Sequence, residues 1–336
     1  MRRHALLPLS VFAFLASSIP VATAEPSNRS ESQHTDTWHK VDAKGESAKR
    51  HESAAVLIAD DLYVFGGRGE RPLQALNLKT QRWRTLAPPP LEIHHAQAVA
   101  YQGRLIVISG LTGNFPEEPS LEQVHIYDPA TNAWSTGPEI PKERRRGASG
   151  VVVIGDTAYI LGGNTRGHNS GYVPWADSLN LATGTWTVLP DAPHARDHFH
   201  AAVVDGQIYA AGGRLSAADA GDALSRTIAQ VDVFDPAKAT WSTLDANIPT
   251  PRAGTAAVPF NGQLVVLGGE SSRQVPAHAE VEAFDPRSRK WTTLPPMPLG
   301  RHGAQAVVSG NALWITAGSE NRGGGPELND VLRLSP

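Results

Sequence analysis

One pattern, written six times, governs what this 336-residue chain can fold into. It is clearest at residues 196–214, "RDHFHAAVVDGQIYAAGGR": a charged, histidine-bearing start, a small-apolar run, an Asp-Gly turn, a second apolar run and a glycine pair. The other copies read "RHESAAVLIADDLYVFGGR", "IHHAQAVAYQGRLIVISGL", "RRGASGVVVIGDTAYILGGN", "RAGTAAVPFNGQLVVLGGE" and "RHGAQAVVSGNALWITAGS". Their second glycines fall at Gly67, Gly110, Gly163, Gly213, Gly269 and Gly318, a period of about 50 residues. Five copies are followed by a variable loop, a short strand pattern such as "VHIYDPATNAW" and a tryptophan: Trp83, Trp134, Trp186, Trp241 and Trp291. With 31 glycines and 26 prolines, the chain has turn chemistry throughout and little room for long helices.

The glycine pair, the downstream aromatic and the tryptophan recur in phase, and in this the chain resembles the kelch repeat. That resemblance covers nearly everything after residue 36. It implies an all-β, six-bladed propeller in which each copy is a four-stranded blade. No tryptophan follows the sixth copy, whereas Trp38 in "TDTWHKV" precedes the first. A strand from the N-terminus is therefore expected to complete the C-terminal blade, which closes the ring and removes two exposed edges. The tryptophans are expected to plug the space between blades. The "DP" steps should make the turns between third and fourth strands.

Residues 1–24, "MRRHALLPLSVFAFLASSIPVATA", set two arginines before an apolar run that ends in small residues, which reads as a secretory signal. A polar leader at 25–35 and a propeller at 36–336 follow, with the mature protein expected in the periplasm or secreted. Loss of the signal would remove two arginines and no acid, leaving 28 basic against 33 acidic residues, a net charge of −5. A mildly acidic chain without a basic block argues against a nucleic-acid partner, and no further stretch is expected to span a membrane. There is no cysteine, so stability must come from core burial without disulfides. A monomer is expected.

In an up-and-down blade, the start of the innermost strand and the end of the second lie on one side of the disc, so the charged start and the post-glycine residues converge. Alignment on the shared Ala-Val step gives one ring of Arg50, Ile93, Arg145, Asp197, Arg252 and Arg301. A shift of one in the fourth copy would put Arg196 in place of Asp197. The next ring is His51, His94, Arg146, His198, Ala253 and His302, with His95 and His200 adding imidazoles on the same rim. After the glycines come Arg68, Leu111, Asn164, Arg214, Glu270 and Ser319, then unequal loops, the longer ones "TGNFPEEPS", "TRGHNSGYVPWADS" and "LSAADAGDALSRT".

Three functions fit that mouth. Arg50, Arg68, Arg145, Arg146, Arg196, Arg214, Arg252 and Arg301, with His95, Asn164 and Glu270, are candidates to bind a small anionic ligand or an acidic protein segment. Against this, an arginine at the start of the innermost strand is itself part of the kelch pattern, where it pairs with carboxylates or carbonyls. Alternatively, His51, His94, His198 and His302 act as acid and base beside an arginine that stabilises an oxyanion, with Glu52 and Glu270 orienting them. Exported six-bladed kelch proteins of bacteria include N-acetylneuraminate epimerases, so the resemblance extends to a cofactor-independent isomerase or lyase acting on a sugar acid. The chain departs from them in having no long insertion in its middle blades. Third, imidazoles from adjacent blades could ligate a metal. No motif calls for an organic cofactor, and the missing cysteine excludes the copper chemistry of galactose oxidase.

Overall fold

The computed structural model describes Met1 and residues 36–336. The remainder of the expected signal, and the leader, lie outside the described residues. Each copy's two apolar runs pair as an antiparallel hairpin: Ala202 faces Tyr209 and Val203 faces Ile208. The tight turn between them puts Asp205 and Gly206 at φ 49° and 75°. This is the left-handed pair that a right-twisted hairpin needs.

In chain order, β1 (Thr37–Val41) precedes a first blade of β2 (Ser53–Ile58), β3 (Asp61–Gly66), β4 (Gln74–Asn77) and β5 (Arg82–Thr85). The second comprises β6 (Val99–Tyr101), β7 (Arg104–Val107), β8 (Gln123–Asp128) and β9 (Ala133–Glu139). The third uses β10 (Gly150–Ile154), β11 (Thr157–Leu161), β14 (Ala176–Asn180) and β15 (Thr185–Leu189), with a small hairpin, β12 (Asn164–Arg166) and β13 (Ser170–Tyr172), inserted after its glycines. The fourth has β16 (Ala201–Val204), β17 (Gln207–Ala210), β18 (Asp232–Asp235) and β19 (Thr240–Thr243). The fifth has β20 (Ala256–Phe260), β21 (Gln263–Leu267), β22 (Val281–Asp285) and β23 (Lys290–Leu294). The sixth joins β24 (Ala306–Ser309), β25 (Ala312–Thr316) and β26 (Val331–Ser335) to β1, Thr37 facing Ser335 and Val41 facing Val331. The N-terminal strand thus closes the ring.

Two sets of hydrogen bonds bind blade to blade. On the channel wall, His95 N donates to Glu52 O, Ala148 N to His95 O, His198 N to Ala148 O, Gly254 N to His198 O, Gly303 N to Gly254 O and Ser53 N to Gly303 O, a closed belt. All six of Glu52, His95, Ala148, His198, Gly254 and Gly303 take φ between 51° and 63°, so glycine suits two positions and four side chains accept strain. In the second set, Gly67, Gly163, Gly213, Gly269 and Gly318 each donate to the carbonyl that opens the next blade, at Ile93, Arg196, Arg252, Arg301 and Arg50. Ser109 Oγ donates to Arg146 O at the remaining junction, 2.8 Å away.

The arginines of the first ring belong to this frame. Each donates to the carbonyl of the first residue of the glycine pair, 16 positions on: Arg50 to Gly66, Arg146 to Gly162, Arg196 to Gly212, Arg252 to Gly268 and Arg301 to Ala317. Four also pair with an acid from the third strand of the blade or its approach: Arg146 with Asp177, Arg196 with Asp232, Arg252 with Glu282 and Arg301 with Asp330. Arg50 finds Gln74 there instead. The expected register is therefore corrected by one in the third and fourth copies, where Arg146 and Arg196 occupy the ring. Arg145 is turned to the periphery against Glu122 and Glu139. These guanidiniums serve the blades, Arg145 serves peripheral carboxylates, and none of Arg50, Arg145, Arg146, Arg196, Arg252 and Arg301 is among the residues lining the pocket above the belt.

The tryptophans do more than fill space. Trp38, Trp134, Trp186, Trp241 and Trp291 each donate their indole N–H to a carbonyl of the preceding blade. The "DP" turns are pinned by Asp128, Asp235 and Asp285, whose carboxylates accept the backbone N–H two residues on.

Candidate functional site

The channel is stoppered just below the belt. There the inner strands or their approaches present Ala54, Gln97, Gly150, His200, Ala256 and Gln305, small alternating with large around the ring. Gln97 Oε1 accepts from Val151 N and Ala201 N, and Gln305 Oε1 from Ala55 N and Ala98 N, so each amide spans the inner strands of three blades. A void of about 20 Å³ remains between this plug and the belt, enough for a single water.

Above the belt a pocket of about 600 Å³ opens to solvent, lined by His51, Glu52, Arg68, His168, Arg214, Glu270 and His302 among others. Its size suits a small ligand. The structure thus brings to one mouth the post-glycine residues Arg68, Arg214 and Glu270 together with His51 and His302. His95 and His198, buried, line the small void beneath it together with Glu52, and His94 is buried beside His95. Asn164 is fully buried, and neither atom of its side-chain amide has a hydrogen-bond partner.

One half of the pocket is an acid–base array. Arg214 Nη1 donates to Glu270 Oε1 at 2.5 Å and its Nε to Ser216 Oγ at 3.0 Å, while its buried Nη2 has no partner. His302 sits between carboxylates, Nδ1 3.4 Å from Glu52 and Nε2 3.5 Å from Glu270. Burial by itself would lower the His302 imidazole, but Glu270 and Glu52 raise it above the ordinary histidine value. Burial opposes ionisation of Glu270 too, yet His302 and Arg214 bring it down to about 2. Glu52, likewise buried, is held well below the usual carboxylate range by the imidazoles around it, His95 and His302 foremost. His51 Nδ1 lies 2.8 Å from Glu327.

The other half is a nest of imidazoles. His95 and His198 come from the belt. His168 comes from the tip of the β12–β13 hairpin, which folds back over the channel. Ring centroids are 4.8 Å apart for His95–His198, 5.0 Å for His95–His168 and 4.4 Å for His168–His198. His168 Nδ1 donates to Glu118 at 2.7 Å, and Glu118 is in turn gripped by Arg68. Burial pushes His198 down to about 4 and His95 well below the usual value, so both are neutral near pH 7. Sequence reasoning missed His168 and Glu118, although both stand in the long loops it had singled out.

Comparison with known proteins agrees with this architecture. A family model described as the KLHDC2/KLHL20/DRC7 Kelch-repeats domain matches residues 31–213 and 138–318. The chain is 29% identical over 298 residues to Kelch-like protein terF of Aspergillus terreus, covering 84% of this chain and 64% of that one. It is 31% identical over 195 residues to Kelch domain-containing protein 10 of Xenopus laevis, covering 52% and 46%. The chain therefore spans less than two thirds of the length of these relatives. Among solved structures, that of YjhT superposes with a TM-score of 0.74 at 18% identity, covering 88% of this chain and 97% of that one.

Proposed function

The chain belongs to the kelch-repeat family, and we propose that it uses the mouth of its propeller to bind a small carboxylate- and hydroxyl-bearing molecule, of which a sugar acid is the type. The observation that carries this reading is Arg214, a pocket-lining arginine with a buried guanidinium nitrogen that lacks a partner. Leaving such a donor unmet costs about 1–3 kcal/mol. A ligand carboxylate would satisfy it. Arg68, a quarter of its side chain exposed at the rim, supplies a second cation. Glu52, Glu270, His51 and His302 offer acceptors and donors to ligand hydroxyls. Export to the periplasm or medium, read from residues 1–24, belongs to the same proposal.

Isothermal titration of the untagged protein with a panel of uronic and nonulosonic acids tests the reading. At least one member should bind, and His51→Ala should weaken it about tenfold or more, the worth of one charged hydrogen bond, with melting unchanged; Arg68→Ala should weaken it likewise and also lower the melting temperature, because buried Glu118 loses its guanidinium. Absence of binding across the panel, or equal binding by both variants, overturns it.

A second reading, isomerisation of that ligand, is favoured by His302. An imidazole held between two carboxylates that raise its basicity can hand a proton to and fro. Proton NMR of anomeric or epimeric exchange separates the two. Exchange above the uncatalysed rate that disappears in His302→Ala supports catalysis; exchange at the uncatalysed rate leaves a receptor.

A further inference from the structure

We infer that His95, His168 and His198 form a binding site for a divalent first-row transition metal ion where the pocket meets the small void beneath it. One ring nitrogen from each lies within 4.8 Å of the others. A tetrahedral ion with bonds of about 2.0–2.1 Å needs its ligand nitrogens about 3.4 Å apart. Small ring rotations therefore suffice.

The second observation is how the rings are held. His198 Nδ1 donates to Asp197 at 2.5 Å, His168 Nδ1 to Glu118 at 2.7 Å, and His95 Nδ1 shares a 2.6 Å hydrogen bond with His94 Nδ1. These outer partners are themselves fixed: Asp197 by Ser216, Glu118 by Arg68, and His94 through its Nε2 and the Gly113 carbonyl. With Nδ1 engaged, Nε2 is the nitrogen each ring can offer. On side chains only 1% exposed, His198 Nε2 has no hydrogen-bond partner, and His95 Nε2 makes none either, its nearest polar neighbour being Glu52 Oε2 at 3.3 Å. Two imidazoles oriented by carboxylates and a third by a neighbouring imidazole, with a nitrogen of each within 4.8 Å of the others, match what a histidine-ligated metal requires of its surroundings.

A purely structural cluster would have satisfied those nitrogens or replaced them with apolar groups. Three nitrogen donors without a thiolate suit zinc, iron, nickel, cobalt or copper in the divalent state, and they leave a coordination position open. That position faces the pocket, where His168 and Glu52 form part of the lining. The site adjoins the sugar-acid pocket but is read separately: Arg214 donates to Ser216, which also holds Asp197, the partner of His198.

The test uses untagged protein stripped with a chelator and titrated with cobalt(II), followed by visible absorption. Wild type should take up about one equivalent with the d–d bands of a low-coordinate nitrogen site, displaced by zinc. His168→Ala and His198→Ala should lose stoichiometric uptake. Glu118→Gln should weaken uptake by about 10–100-fold. His39→Ala, on the exposed face of β1, should bind as wild type. Should His198→Ala fail to fold, His168→Ala, on a hairpin tip outside the blade sheets, keeps the question answerable. Uptake far below one equivalent, or uptake equal in wild type and both His→Ala variants, overturns the inference. Sugar-acid titrations of stripped and cobalt-loaded protein read the other proposal separately.

Discussion

Arginines that look alike in the repeat have two different fates. Arg252 is wholly buried, with Gly268 O, Val266 O and Glu282 as its partners, whereas Arg68 reaches the rim. Arg252→Ala would leave Glu282 charged and unpaired in a dry seam, and a loss of about 3–5 kcal/mol is expected in denaturant unfolding. A loss below about 1 kcal/mol, the value of an exposed pair, would show that the seam is wet. His302 gives a pH signature. Its ionisation is raised in the folded state, so its contribution is fully present below the ordinary histidine value of about 6.5 and fades as pH rises through the higher folded value. The stability gap between wild type and His302→Gln should therefore be widest in mild acid and narrow toward alkaline pH. A gap that widens with pH would mean that the carboxylates do not stabilise the cation. Glu270 acts in the opposite sense: its contribution is held above the usual carboxylate range and is lost as pH falls toward 2.

The hairpins and their glycine pairs were legible in the sequence because in four of the six copies both glycines of the pair take the left-handed backbone, at Gly66-Gly67, Gly162-Gly163, Gly212-Gly213 and Gly268-Gly269. A Cβ on Gly268, at φ 65°, would stand 2.3 Å from the Arg301 carbonyl of the next blade. Gly268→Ala should therefore cost about 1–3 kcal/mol in unfolding free energy from the left-handed backbone alone, and more from the clash. An unchanged midpoint would mean that the seam gives way freely. The same pair holds a signal that alignment on the Ala-Val step passes over. Counting back 16 residues from its first member lands on Arg50, Ile93, Arg146, Arg196, Arg252 and Arg301, the register the structure adopts. The run Arg144-Arg145-Arg146 and the Arg196-Asp197 step each offer two candidates, and hydrogen-bond reach decides between them. His168 left no such trace. Its place over His95 and His198 depends on an inserted hairpin folding inward, a tertiary event that no repeat encodes, and the glutamine plug was equally hidden among small residues.

For the whole molecule, ring closure was foreseeable from an unpaired tryptophan, and it makes one cooperative object of six blades. Trp38 is 9% exposed and bonded to Pro295 O at 2.8 Å. Trp38→Ala should cost about 3–5 kcal/mol while keeping a single unfolding transition. Two separate transitions would show that the sixth blade comes away by itself. Under the proposed function, the ligand enters at the mouth above the belt, where the pocket lies. The decisive test is an electron-density map of crystals soaked in the tightest-binding sugar acid of the panel. The ligand carboxylate should lie within hydrogen-bonding reach of Arg214 Nη2, with its hydroxyls toward His302 and Glu270. Density for that ligand at the opposite end of the channel, or a mouth holding only water at saturating concentration, would show that the pocket is not the site.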